Sequence, residues 1–225
     1  MKKSNYDKFP FVAAPGDSKI WKSWPAICET LNERLRGQPR QILVVDTYPG
    51  VNDPEVLGEL ESCLKPALTI RTIDLKKSEP EVMNIIGGNL TDDRIFGVLS
   101  CHALEEFFDA EKLAAARAQI EQAGRASSRA GSSGASPHQV ILIYGVGAEL
   151  VVEQASSLFT HSEKNGQTGS LSHYVLVYAD LARWEIQQRF RCGLGNWGAD
   201  NGKEDFFRKY KRSFFVEWRA TDRHK

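Results

Sequence analysis

A strand that ends in a Pro-Gly turn constrains the fold of this chain more than any other feature of its sequence. The residues QILVVDT, from Gln41 to Thr47, are almost uniformly apolar, and the turn YPG and the helix start VNDPEVL follow directly. Strands without polar alternation are typical of parallel sheets that carry helices on both faces. The segment therefore predicts a central parallel strand, a tight turn and a helix.

The turn after this strand is where many α/β proteins hold a phosphate, through the pattern G-x-x-x-x-G-K-[ST]. Here it contributes the single glycine Gly50, and Asn52, Asp53, Pro54 and Glu55 follow in place of the lysine and hydroxyl. Asn52 or Asp53 is a good N-cap, Pro54 suits the first helical position, and Glu55 complements the helix dipole. Since two carboxylates occupy the place of the anion, we expect a kinase-like framework whose first loop does not bind nucleotide.

Strand and helix patterns alternate about five times along the chain, which predicts a single α/β domain over residues 1–225. We expect a doubly wound, mostly parallel sheet with helices on both faces. The predicted segments are a helix at Ser23–Leu35, a helix at Pro54–Leu64, a strand ending at Asp74, a helix at Glu79–Ile86 that stops at Gly87 and Gly88, the strand in TDDRIFGVLS, a helix at His102–Ala123, the strands in QVILIYGVGAEL and HYVLVYADL, the helix LARWEIQQRFR, and a short helix followed by an edge strand in DFFRKYKRSFFVEWRA.

Two segments rich in small polar residues interrupt this alternation, at about 124–137 and 153–173. They contain too few apolar side chains to offset the entropy lost on ordering. We therefore predict that both are flexible surface excursions.

Composition limits the classes of function. Lys plus Arg and Asp plus Glu are equal at 29 each, so no overall field attracts nucleic acid or an anionic membrane. The sequence shows no apolar run of membrane-spanning length, and its start lacks the apolar middle of a signal peptide. These features predict a cytoplasmic protein that binds neither nucleic acid nor membrane.

The cysteines and histidines do not form a recognisable site. Cys28, Cys63, Cys101 and Cys192 are widely spaced, and the five histidines fall in no i, i+4 pair. In a cytoplasmic protein the cysteines are expected to be reduced and half-buried, and metal ligands normally come in local pairs. We predict no metal site, and no arrangement of hydroxyl, thiol and imidazole groups indicates a catalytic residue.

Candidate ligand-binding residues follow the predicted strands, because ligands of doubly wound sheets bind beyond the carboxyl ends of the strands. Thr47 and Gly50 lie in the stretch Thr47 to Asp53 that follows the first strand, and Asp74 ends the second. We expect them to converge with Tyr144 to Gly147 and with Asp180, which end the later strands. Asp46 and Asp74 have two interpretations: acids for magnesium or for deprotonating a hydroxyl, or caps of the turns that follow.

The helix LARWEIQQRFR adds three further candidates, Arg183, Arg189 and Arg191. Arginine captures phosphate with two parallel hydrogen bonds, and an arginine-bearing helix after a late strand is typical of a kinase lid. The alternative is structural, because Glu185 and Gln187 can pair with these arginines along the helix. Both interpretations remain open at the level of sequence.

The order of these segments resembles the uridine-kinase type of phosphate-loop fold. The resemblance implies a P-loop-kinase-like three-layer sandwich, whose later strands lead to an EG-x-x-AL turn and an Arg-rich lid. This chain has Tyr144 where that turn places its Glu, and it lacks the loop Lys. Phosphoryl transfer is therefore not expected. The alternative is a small-molecule kinase, for a nucleoside or a sugar, with a degenerate phosphate loop and arginine anchors.

A second resemblance is carried by NYDKFPFV, VDTYPGVN, LTDDRIFG, VYADLARWEIQQRFR, GADN and KYKRSFFVEWRATDRHK. These blocks resemble the N-terminal region of certain bacterial proteins classed as class I mannose-6-phosphate isomerases. In those proteins the resemblance implies a kinase-like module followed by a cupin barrel that holds zinc and performs the isomerisation.

The second resemblance implies an accessory, non-catalytic domain with a sugar-phosphate-binding, regulatory or docking role. We expect no cofactor in this chain, and zinc only in a separate cupin domain, in cis or in trans. A further alternative is a protein-interaction module whose exposed aromatic C-terminal segment pairs with a partner strand.

Overall fold

The computed structural model describes residues 13, 16, 18–36, 41–130, 140–152 and 174–224, with only the backbone for 125–130. Helices and strands alternate through most of these residues. The elements are α1 (Trp24–Arg36), β1 (Ile42–Thr47), α2 (Asp53–Leu64), β2 (Leu68–Arg71), α3 (Thr72–Leu75), α4 (Glu79–Leu90), a 3-10 helix (Leu104–Phe107), α5 (Ala110–Ala130), β3 (Ile141–Gly145), β4 (Val175–Ala179), α6 (Arg183–Arg191), α7 (Phe206–Arg212), a π-helical turn (Ser213–Glu217) and α8 (Trp218–His224).

The four strands form one parallel sheet in the order β2-β3-β1-β4. In register, Ile42 of β1 lies beside Ile141 of β3, and Leu43 lies beside Val175 of β4. The connection that leaves β1 runs toward β2, whereas the one that leaves β3 crosses to β4 on the other side. The carboxyl ends of β1 and β3 therefore flank the switch point, where ligands of such sheets bind.

Both faces of the sheet are covered, as the lack of alternation in QILVVDT predicted. Ile42 and Val44 belong to one core cluster, and Leu43 and Val45 belong to the other. Helices α1 and α2 pack on the face of Leu43, and α4 and α5 pack on the face of Val44. The predicted doubly wound fold is confirmed.

The prediction that the cysteines are reduced was wrong for one pair. Cys28 of α1 and Cys63 of α2 form a disulfide bond, with Cα atoms 6.2 Å apart. The two helices lie side by side on one face of the sheet, and this brings together cysteines separated by 35 positions in the sequence. Cys101 and Cys192 are free and exposed.

Two predicted boundaries around the second strand were also wrong. β2 ends at Arg71, and Asp74 lies in the short helix α3 instead of at a strand end. Helix α4 continues through Gly87 and Gly88 to Leu90, because a capping box at Ser78 and buried residues on its inner face outweigh the roughly 1 kcal/mol that each glycine costs.

Two segments predicted as strands lie outside the sheet. The segment TDDRIFGVLS has no partner strand among the described residues, and the C-terminal segment is helical, with its side chains packed into the protein. Val216 and Trp218 are fully buried there. The interaction module that depended on an exposed C-terminal edge strand therefore loses its structural basis.

The two predicted flexible excursions fall largely outside the described residues. Helix α5 extends to Ala130 and so includes the first part of the 124–137 segment. Residues 131–137 and 153–173 lie outside the described part of the chain.

Candidate functional site

The first turn of the sheet is closed by helix α6. Gly50 has a φ of 106°, and a Cβ placed on it would lie 2.9 Å from Cγ2 of Ile186. Nη1 of Arg189 donates to the carbonyl oxygen of Gly50 at 3.0 Å. An anion approaching this turn would therefore meet a packed isoleucine and an arginine that is already bonded.

Arg183, at the start of α6, is held by the C-terminal helix. Its guanidinium forms an ion pair with Asp222, donates to the Tyr48 hydroxyl at 3.3 Å, and lies over the ring of Trp218. The Tyr48 hydroxyl donates to the other Asp222 oxygen at 2.9 Å. Burial, opposed by Arg183 and reinforced by Asp222, raises the pKa of Tyr48, so it remains a neutral donor. Arg183 thus joins α6 to the turn after β1, through Tyr48, and to α8, through Asp222.

The other two arginines of α6 are also engaged within the chain. Nε of Arg189 lies 3.1 Å from a Glu185 carboxylate oxygen, which is the i, i+4 pairing expected on a helix. Nη1 of Arg191 donates to the Gln187 carbonyl at 3.2 Å, and its guanidinium lies 3.9 Å from the ring centre of Phe206. These contacts correspond to the structural alternative for the arginine-bearing helix.

The polar residues at the carboxyl end of β1 are also buried or bonded within the chain. Asp46 is buried and accepts hydrogen bonds from the backbone N–H groups of Gly147, at 3.2 Å, and Glu149, at 3.1 Å. Nε2 of His224 lies 3.6 Å from the same carboxylate. Asp46 therefore caps the turn after β3, and Thr47 beside it is buried in the sheet.

An open pocket lies next to this closed turn. Its volume is about 340 Å³, and it is bounded by the start of α2, the ends of β2 and β3, and the loop that carries Trp197. The residues that give it chemical character are Asp53, Arg71, Thr72, Tyr144, Gly145 and Trp197.

A hydrogen bond between the end of β3 and the start of α2 borders the pocket. The buried hydroxyl of Tyr144 donates to Oδ1 of Asp53 at 2.8 Å. Burial raises the pKa of both groups, and for Asp53 the bond from Tyr144 and the charge of Arg71 oppose that rise. Oδ2 of Asp53 has no hydrogen-bond partner within the described residues, so it is available to a donor from a ligand.

Thr72 and Gly145 meet at the base of the pocket. A Cβ on Gly145, whose φ is 122°, would lie 2.3 Å from Oγ1 of Thr72, so only glycine fits there. The Thr72 hydroxyl is buried and lacks a hydrogen-bond partner in the described part of the chain. Unpaired buried polar groups are uncommon in native proteins, and they concentrate at functional sites.

Arg71 supplies a cation at the pocket. Its Nε lies 3.3 Å from Oδ2 of Asp74, and the two side chains are 51% and 64% exposed. The exposed pair is weak, so a stronger anion can compete for the guanidinium. Asp74, a predicted site residue, therefore lies next to the pocket as the partner of Arg71.

The structure brings together a different set of residues from the one predicted. Of the six candidates, Thr47, Gly50, Arg183 and Arg189 are buried or bonded at or beside the closed turn. Arg191 contacts Gln187 and Phe206, and Asp74 pairs with the pocket residue Arg71.

Sequence reasoning missed Arg71, which it placed inside a strand expected to end at Asp74. No local signal marked the end of that strand at Arg71, because the apolar and β-branched pattern of ALTIRTID continues to Ile73. Sequence reasoning did place Asp53, Tyr144 and Gly145 among the residues expected to converge at the carboxyl ends of the strands, and all three line the pocket.

Within the described ranges, no three His, Cys, Asp or Glu residues are grouped so that they could hold a metal ion. In the same residues, no helix has the combined length and apolar character needed to cross a bilayer. The cytoplasmic location stays a prediction.

Comparison with known proteins identifies the family. No curated protein and no solved structure matches the chain. The model of a family described as "Domain of unknown function (DUF8485)" matches residues 23–161 and 166–225, which include all four strands of the sheet and all the pocket residues. The chain therefore belongs to this domain family of unknown function.

Proposed function

We propose that this chain is an accessory, non-catalytic kinase-like domain that binds a sugar phosphate in the pocket beside its first turn. One observation carries the proposal: Ile186 and Arg189 close the turn at Gly50, whereas the neighbouring pocket of about 340 Å³ is open. Pockets of this size accommodate small metabolites. In our proposal the domain therefore binds its ligand in this pocket, although its first turn lacks phosphate-loop chemistry.

The polar groups of the pocket suit a polyhydroxylated anion. Oδ2 of Asp53 would accept a hydrogen bond from a sugar hydroxyl, while Tyr144 keeps the other carboxylate oxygen in place. Arg71 would exchange its exposed partner Asp74 for the phosphate, which binds a guanidinium more strongly through two parallel hydrogen bonds. Asp53 and Glu55 beside the closed turn disfavour the several negative charges of ATP.

The resemblance to class I mannose-6-phosphate isomerases suggests the context of this binding. In our proposal a separate cupin domain, in cis or in trans, holds the zinc and performs the isomerisation. This chain would regulate that domain, or dock against it, according to the sugar phosphate that it binds. The proposal includes a cytoplasmic location.

Isothermal titration calorimetry with mannose 6-phosphate, mannose and Mg-ATP tests the proposal. We expect mannose 6-phosphate to bind, and mannose to bind at least tenfold more weakly because it lacks the phosphate. Arg71→Ala should reduce the affinity for mannose 6-phosphate at least tenfold. Arg191→Ala is the matched control, because this exposed arginine lies outside the pocket and its loss should leave the affinity unchanged.

Three results would contradict the proposal. Failure of mannose 6-phosphate to bind would remove the assigned ligand. Binding of Mg-ATP that is lost in Arg189→Ala would favour the alternative of a small-molecule kinase with arginine anchors. Conversion of mannose 6-phosphate to fructose 6-phosphate by the purified chain with added zinc would show that the domain is itself catalytic.

A further inference from the structure

Two aromatic side chains line the pocket, Tyr144 and Trp197. Tyr144 is buried, whereas Trp197, in the loop between α6 and α7, is half-buried. Ligand pockets combine aromatic and apolar surfaces with a few polar groups that fix the orientation of the ligand. Here Asp53 and Arg71 are such polar groups, and Trp197 supplies the aromatic surface that a ligand can reach.

Three neighbours hold the ring of Trp197. The ring centres of Phe107 and Phe108 lie 6.0 and 5.7 Å from its centre, and their planes are inclined to it by 53° and 61°. Nζ of Lys76 lies over the ring, 5.0 Å from its centre. Because Lys76 occupies one face of the ring, a ligand can stack only on the other.

Buried polar side chains anchor the backbone that carries this ring. Lys76 also donates from Nζ to the carbonyl oxygen of Trp197 at 2.7 Å. Nδ2 of the buried Asn196 donates to the Lys209 carbonyl at 2.9 Å and to the Ser213 hydroxyl at 2.8 Å. The ring is thus held in place without a ligand, so a ligand that packs on it pays little for ordering the protein.

The next residue keeps this loop close to α3. Gly198 has a φ of 67°, and a Cβ placed on it would lie 2.7 Å from Cδ1 of Ile73, which also lines the pocket. Glycine adopts this backbone conformation without strain. A larger residue would push the loop away from α3, and Trp197 with it.

A sugar in its ring form matches this combination of groups. A pyranose presents C–H groups on the faces of its ring and hydroxyl groups around the rim. Its C–H face can pack on an aromatic surface while a hydroxyl donates to Asp53 and the phosphate binds Arg71. An open-chain sugar phosphate carries the same kinds of polar group but has no fixed face, and packing it on the ring costs the entropy of its rotatable bonds.

We infer that Trp197 stacks on the pyranose ring of the bound sugar phosphate, so that the pocket selects a cyclic hexose 6-phosphate over open-chain forms. The inference rests on the proposed function and assigns a contact to the apolar part of that ligand. A flat aromatic phosphate would also stack on Trp197, but it has no hydroxyl for Asp53 or for the buried hydroxyl of Thr72, which has no hydrogen-bond partner among the described residues. A sugar ring satisfies both requirements.

Isothermal titration calorimetry tests the inference with mannose 6-phosphate, phenyl phosphate and mannitol 1-phosphate, which is the reduced, open-chain form of mannose 6-phosphate. We expect the parent protein to bind mannose 6-phosphate at least tenfold more tightly than either of the others. Trp197→Ala should weaken binding of mannose 6-phosphate at least tenfold and leave that of mannitol 1-phosphate unchanged. Trp197→Phe keeps an aromatic ring and should retain the preference for the cyclic sugar.

Trp184→Ala is the matched control, because this tryptophan of α6 is 67% exposed and does not line the pocket. It should change neither affinity. A second measurement avoids any loss of stability in the alanine variant. In the parent protein labelled with 5-fluorotryptophan, the fluorine resonance of Trp197, identified by its absence from Trp197→Phe, should shift at saturating mannose 6-phosphate, and that of Trp184 should not.

The outcomes separate this inference from the proposed function. Failure of mannose 6-phosphate to bind the parent would overturn the proposed function, and the inference with it. If mannose 6-phosphate binds, an unchanged Trp197 resonance would overturn the inference alone. So would equal affinities of the parent for mannose 6-phosphate and either of the other phosphates, or equal weakening of mannose 6-phosphate and mannitol 1-phosphate by Trp197→Ala.

Discussion

Arg189 donates from Nη1 to the carbonyl oxygen of Gly50 at 3.0 Å, which joins the helix expected to act as a lid to the turn expected to hold an anion. Both were candidate ligand-binding residues, and each is the partner of the other. Ile186 fills the space above the glycine. The contact explains why the first turn of this doubly wound sheet has no room for a phosphate.

Gly50→Ala should destabilise the protein by about 1–3 kcal/mol, because its φ of 106° strains any L-residue and the added Cβ would lie 2.9 Å from Ile186. Gly58→Ala is the matched control. Gly58 lies in α2 with open space around it, so alanine there should stabilise by about 0.5–1 kcal/mol. Urea unfolding measures both values, and a Gly50→Ala variant as stable as the parent would show that the turn is not packed as described.

The bond from Tyr144 to Asp53 leads to a prediction about pH. This bond lowers the pKa of Asp53 against the rise caused by burial, so Tyr144→Phe should raise that pKa further. Titration of the Asp53 carboxyl carbon by NMR measures the change. An unchanged or lower midpoint in Tyr144→Phe would contradict the described hydrogen bond.

The raised pKa of Asp53 also has a consequence for stability. A carboxyl whose pKa is higher in the folded than in the unfolded state costs stability in its charged form. The cost is absent below the unfolded value of about 3.9 and develops as pH rises through the folded value. Asp53→Asn should therefore be more stable than the parent at pH 7, and this difference should disappear near pH 3.5. A difference in unfolding free energy that is independent of pH would count against this assignment.

The disulfide bond between Cys28 and Cys63 should contribute about 3–4 kcal/mol to the free energy of unfolding, because it removes the loop-closure entropy of a loop of this length from the unfolded chain. Reduction with dithiothreitol, or Cys28→Ser, should lower the melting temperature correspondingly. Cys101→Ser and Cys192→Ser are matched controls, since both cysteines are free and exposed, and neither change should matter. A melting temperature insensitive to reductant would indicate that the bond does not form in solution.

Lys209 holds the loop after α6 to the C-terminal helices. Its Nζ donates to the carbonyl oxygens of Phe190 at 2.7 Å, Leu194 at 3.0 Å and Gly202 at 2.8 Å, and the side chain is 1% exposed. Hydrogen bonds to a charged group are worth about 1.5–3 kcal/mol each, so Lys209→Met should cost at least about 3 kcal/mol.

The exposed neighbour Lys203 provides the control for Lys209. Lys203→Met should change the unfolding free energy by less than about 0.5 kcal/mol, as is usual for surface substitutions. Hydrogen exchange should in addition show faster opening of residues 192–205 only in Lys209→Met. Equal effects of the two substitutions would show that the three carbonyl bonds do not stabilise the loop.

The C-terminal segment shows where sequence periodicity fails. Alternation of Phe215, Glu217 and Arg219 predicted an edge strand, but the segment is helical and Glu217 is buried. Oε1 of Glu217 accepts from Nε of Arg212 at 2.8 Å, and Arg212 also pairs with Glu79 of α4. This ion-pair network joins residues far apart in the sequence, so a local pattern could not reveal it.

The parallel sheet with helices on both faces follows from the amino-acid sequence, because unbroken apolar runs such as QILVVDT need apolar cover on both sides. The sequence also shows that the first turn lacks the lysine and hydroxyl of a phosphate loop. Long-range packing, in contrast, sets which side chains fill the first turn and where a pocket stays open beside it. The strand order β2-β3-β1-β4 and the docking of α6 and α8 set which side chains meet at the carboxyl edge. Those long-range contacts close the turn at Gly50 and leave Asp53, Tyr144 and Arg71 around an open pocket, and no local pattern encodes them.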